Sequence, residues 1–115
     1  MALHCPATIH LLGPEALAAA LEVLAQEHIA VVCVGEEASL RDTAQAAATS
    51  LGAPLRVVPD LGADGSRHQA LLDLADEYRG EHVLVLVAGH HQLVTMEVGD
   101  DGIRLLARPG EAAAG

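Results

Sequence analysis

Aromatic side chains are almost missing from this chain: Tyr78 stands alone, with no Phe and no Trp. Stacking platforms for nucleic-acid bases go with them. A core is still expected, because hydrophobic residues make up 51% of the sequence. It has to be assembled from Ala, Val, Leu and Ile. Lysine is missing too. All six basic residues are arginine, which removes Schiff-base and lysine-nucleophile chemistry. Sixteen acidic residues leave a net charge of −10, and no basic run offsets it, so nucleic acid is not an expected partner. Cys5 and Cys33 lie far apart, without C-x-x-C or Cys/His spacing, so no structural zinc site is expected. Two such cysteines fit reduced thiols and a cytoplasmic location. No run of 18 apolar residues exists to cross a membrane, and no basic flank leads into a sustained apolar segment. No cofactor and no metal are expected.

What is present centres on Glu81 to Val94, EHVLVLVAGHHQLV. Val83 to Val87 is a short, β-branched apolar run, the pattern of a strand buried on both faces. It breaks at Ala88-Gly89 and delivers His90 and His91. In open α/β sheets ligands bind beyond the carboxyl ends of the strands, so chemistry is expected here.

The remaining elements follow in order. Ala7 to Leu12 reads as a first strand, and Gly13-Pro14-Glu15 opens a helix running to about Glu27 with Leu17, Leu21 and Leu24 on its buried stripe. Ile29 to Val34 is a second buried strand. A helix from Ala38 to Leu51 carries Leu40, Ala44, Ala47 and Leu51 on one face, and Gly52 terminates it. Pro54 to Pro59 is a strand whose prolines suit an edge. A loop at Leu61 to Gly65 precedes a third helix, capped by Ser66, with Leu71, Leu74 and Tyr78 inward and Gly80 beyond its end. Gln92–Val98 and Gly102–Ala107 flank a hairpin turn at Gly99-Asp100-Asp101-Gly102. Residues 109–115 read as a flexible tail. The order β-α-β-α-β-α-β-β-β predicts one α/β domain over residues 1–115: three layers, a mostly parallel central sheet and a C-terminal antiparallel hairpin.

Three stretches and the closing hairpin resemble the histidine phosphatase superfamily, which includes phosphoglycerate mutase-like enzymes and phosphohistidine phosphatases. LGPEALAAALEVLAQEHIAVVCV is similar to its "LG-x-x-QA" helix and second strand. LRDTAQAAATSLGAPLRVVPDL is similar to its "R-x-x-TA" helix and following strand. HVLVLVAGHHQLV is similar to the strand that carries its second active-site histidine, and TMEVGDDGIRLLAR to its closing hairpin. The resemblance covers about the whole chain, with trimmed loops, and implies a phosphoglycerate mutase-like fold. It further implies phosphoryl transfer through a histidine in an "RHG" motif after the first strand. Two arginines and a second histidine would hold the phosphate there, in the bidentate geometry that suits a dianion.

His90 matches the second histidine. Gly13-Pro14-Glu15 occupies the position of the "RHG" motif, the second family arginine falls at Ser39, and Arg41 follows two residues later. Asp64 lies near the family's acidic donor. His4, within Ala2-Leu3-His4-Cys5, is the other candidate nucleophile. By topology the strand ends gather Glu15, Glu36, Glu37, His90 and His91, a set that repels a dianion but suits acid/base work. Two function classes therefore stay open. One is a degenerate, non-catalytic domain that binds a protein partner or small ligand at the former phosphate cleft and forms a homodimer through its edge hairpin. The other is an enzyme: a residual phosphatase using His4 and His90, or an acid/base enzyme using His90 with Glu15 or Glu36. His91, Arg41 and Ser39 are the ligand-binding candidates. His10, His28, His68 and His82 show no ligand spacing and read as structural or exposed.

Overall fold

A computed structural model describes residues 7–62, 67–87, 93–99 and 102–106. The first strand, β1 (Ala7–Leu12), leads into helix α1 (Pro14–Ala25), and β2 (Ile29–Val34) into α2 (Ala38–Leu51). The short β3 (Leu55–Val57), a 3-10 turn at Pro59–Gly62 and helix α3 (Arg67–Glu77) precede β4 (His82–Leu86). A hairpin of β5 (Val94–Gly99) and β6 (Gly102–Leu106) follows. The six strands form one sheet in the order β3-β2-β4-β1-β5-β6. The first four strands of that order pair in parallel, whereas β5 pairs antiparallel with both β1 and β6.

Strand alternation divides the core in two. Ile9, Leu11, Val31, Val83 and Val85 pack on one face beneath Leu71 and Leu74 of α3. Leu12, Val32, Val34, Leu84 and Leu86 pack on the other beneath Leu17 and Leu24 of α1 and Leu40 and Ala44 of α2. The result is the expected three-layer α/β arrangement. Because Val83 to Leu86 of β4 are covered on both faces, they have no polar alternation to display, which is why this run is continuously apolar.

Local chemistry sets the boundaries. Pro14 fixes the first turn of α1, and i→i−3 bonds from Gln26 and Glu27 tighten its end, so the helix closes at Ala25 rather than at Glu27. Gly52 ends α2 in the left-handed region at φ 70°, and Gly80 turns the chain after α3 at φ 76°. The third strand is shorter than Pro54 to Pro59, since Val58 N–H gives the last ladder bond to Val34 O and Pro59 has none to give. The 3-10 turn carries Leu61 into the core beneath α3, so the segment expected as a loop begins as a built element. Ser66 and residues 109–115 lie outside the described residues.

Candidate functional site

Two constellations stand out, at opposite ends of the sheet. The first lies at the carboxyl ends of β1, β4 and β2, which are adjacent in that order. Gly13-Pro14-Glu15 follows β1, and Glu15 is exposed in the first turn of α1, where its charge complements the positive helix end. Gly35-Glu36-Glu37 follows β2, with both carboxylate residues exposed, and the Glu37 carbonyl accepts the Leu40 and Arg41 N–H groups at 3.1 and 3.2 Å. Ser39 and Arg41 are exposed in the first turn of α2. A two-residue step on a helix turns side chains to different sides, so Arg41 does not stand in for an arginine at position 39. Between the two acidic turns β4 ends, tied to β1 by the Val87 N–H bond to Leu12 O at 3.0 Å. His90 and His91 follow Val87 but lie outside the described residues, as does Asp64. So does His4, which in sequence precedes β1, whose carboxyl end is Leu12. Arg56 is engaged elsewhere, hydrogen-bonded to Glu77 and to the Tyr78 hydroxyl.

The second constellation was not legible in the sequence. Alternation turns His10 of β1 and His82 of β4 to the same face of the sheet as Leu12 and Leu84. His10 Nε2 lies 3.0 Å from His82 Nδ1, and His10 Nδ1 lies 3.2 Å from Thr95 Oγ1 on β5. Glu27, just beyond α1, brings Oε1 to 3.5 Å from His82 Nδ1. The two rings are 12° from parallel with centroids 5.2 Å apart, near the largest separation that a 3.0 Å N···N contact permits. They therefore meet edge to edge, with one proton shared between the facing nitrogens. His10 is buried, and burial first, then the neighbouring His82, hold its pKa down at about 4 from an ordinary 6.5, against the pull of Glu27. His10 is thus neutral at pH 7. The β2–β4 register slips between Ile29 and Val31, beside His82, an irregularity of the kind that re-aims a side chain. The signal missing from the sequence is spacing: 72 residues separate the two histidines, and only the pairing of β1 with β4 joins them.

No family model matches the sequence, and no curated protein matches it. A solved structure does. The crystal structure of phosphoglycerate mutase from Plasmodium falciparum superposes with a TM-score of 0.67, covering 91% of each chain at 13% identity. The chain has a phosphoglycerate mutase-like fold. At that identity the likeness is one of architecture, so the phosphoglycerate mutase-like sheet carries no assignment of activity with it.

Proposed function

We propose that this chain is a degenerate phosphoglycerate mutase-like domain, without phosphoryl-transfer activity, that binds a protein partner or small ligand at the carboxyl ends of β1, β4 and β2. One observation carries the reading. The turns after β1 and β2 both present exposed carboxylates, Glu15 after β1 and Glu36 with Glu37 after β2, and neither turn has a histidine or arginine. A phosphate dianion needs several fixed cationic donors at such a site, and like charges there raise the cost of its approach. The amino ends of α1 and α2, which otherwise favour anions, already have acidic neighbours to satisfy them. The same electrostatics favour a partner or ligand carrying positive charge.

Support also comes from the register of β1. The strand ends at Leu12, so the residues that follow it are Gly13-Pro14-Glu15, and His4 falls before the strand rather than after it. Hydrolysis of an aryl phosphate by the wild type, His4→Ala and His90→Ala tests the reading. Rates equal to the uncatalysed background are expected in all three. Turnover lost in both variants would make His4 and His90 a working pair and overturn the proposal.

A further inference from the structure

We propose that His10, His82 and Glu27 form a binding site for a divalent transition metal, zinc above all, with His10 Nε2, His82 Nδ1 and Glu27 Oε1 as its ligating atoms. This site is separate from the strand-end cleft: His82 opens β4, whereas the cleft lies where β4 closes.

The argument begins with distance. All three donor atoms lie within 4.8 Å of one another, contributed by β1, β4 and the turn after α1. Around a tetrahedral zinc with bonds near 2.1 Å, neighbouring donors sit about 3.4 Å apart. The observed contacts of 3.0 and 3.5 Å lie on either side of that value. The metal takes over the role of the proton now shared between the two rings. Small rotations of the two rings bring their lone pairs onto the ion, and the displaced proton is taken up by the outer nitrogen of the ring it leaves, so each imidazole stays neutral with one N–H. No redox or group-transfer step is involved.

Three further observations fit a metal better than a purely structural network. The second nitrogen of His10 already has a partner, Thr95 Oγ1, an outer-shell contact of the kind that holds the ring of a ligating histidine in place. His82 and Glu27 keep 32% and 38% of their side chains exposed, which gives an ion a way in and leaves a fourth position for water. Two histidines, one carboxylate and one water make the open donor set of zinc sites that do chemistry, not the closed set of structural ones. The donors also choose the ion. Imidazole suits zinc, copper and nickel, whereas magnesium and calcium prefer oxygen alone. Cys33, the one described thiol, packs on the opposite face of the sheet and takes no part.

The test uses the full chain, stripped with a chelator and dialysed, titrated with zinc chloride by calorimetry and followed by thermal melting. His10 is buried, so its replacement endangers the fold; His82→Gln and Glu27→Gln are the informative variants. Wild type is expected to take up one zinc at this site with a rise in Tm, and magnesium is expected to give neither. Each variant should weaken that uptake at least tenfold while keeping the metal-free Tm within a few degrees. Absence of stoichiometric uptake by the wild type overturns the proposal. So does uptake that either variant retains at full strength, which would assign the ion to other histidines of the chain.

Discussion

Leu84→Ala lowers the free energy of unfolding by about 3–4 kcal/mol, the loss expected when a fully buried leucine leaves a cavity that its neighbours cannot fill. Leu84 is 0% exposed on the central strand. It pairs with His10 of β1 on one side and Val32 of β2 on the other, and its side chain enters the core beneath α1 and α2. A core without a single Phe or Trp draws its burial from many aliphatic contacts of similar size. In a domain whose total stability is on the order of 5–15 kcal/mol, such a loss is a large share. Urea unfolding should show a lower midpoint with an unchanged slope. Val57→Ala on the edge strand β3, where Val57 is 40% exposed, should cost less than about 1 kcal/mol. Equal losses at the two positions would contradict the strand order.

Alkaline destabilisation through Cys33 is the second large effect. The side chain is 0% exposed on β2, and burial pushes the thiol up to about 12 from an ordinary 9.0, with Arg56 opposing and Glu77 reinforcing. The sign follows from proton binding. Between pH 9 and pH 12 the folded thiol keeps its proton while the unfolded one loses it, so the unfolded state binds fewer protons and stability falls as pH rises. The full contribution is present below pH 9, and roughly 1.4 kcal/mol is lost per pH unit above it, up to about 4 kcal/mol by pH 12. Subtracting the pH profile of Cys33→Ala from that of the wild type isolates this component, because the cavity cost of the substitution does not vary with pH. A difference that stays flat from pH 8 to pH 11 would mean that the thiol is not held in the core.

Much of the fold is readable from the residues alone, for identifiable reasons. The first two strands and the second helix match their periodic runs to the residue, because proline, glycine and helix-capping positions bound each run sharply. Elements whose ends lack such punctuation drift. The expected Val83–Val87 strand is observed as His82–Leu86, and the expected Gln92–Val98 strand as Val94–Gly99. The acidic character of the strand-end turns was likewise legible, since Glu15, Glu36 and Glu37 need only the topology to bring them to one end of the sheet. The His10–His82–Glu27 cluster was not. Its members belong to three elements: His10 alone looks like an isolated polar residue in an apolar strand, and Glu27 and His82 look like ordinary polar residues at element ends. Only the β1–β4 register and the tightened end of α1 bring them within hydrogen-bonding reach. Periodicity finds the faces of elements but not which faces meet.

Thermal melting with and without inorganic phosphate, at matched ionic strength, tests the central claim most directly. The acidic strand-end turns predict a Tm unchanged within about 1 °C at millimolar phosphate, because a ligand that does not bind the native state cannot stabilise it. A rise of several degrees that disappears in His90→Ala would mean that a phosphate pocket survives at the end of β4, and would contradict the account.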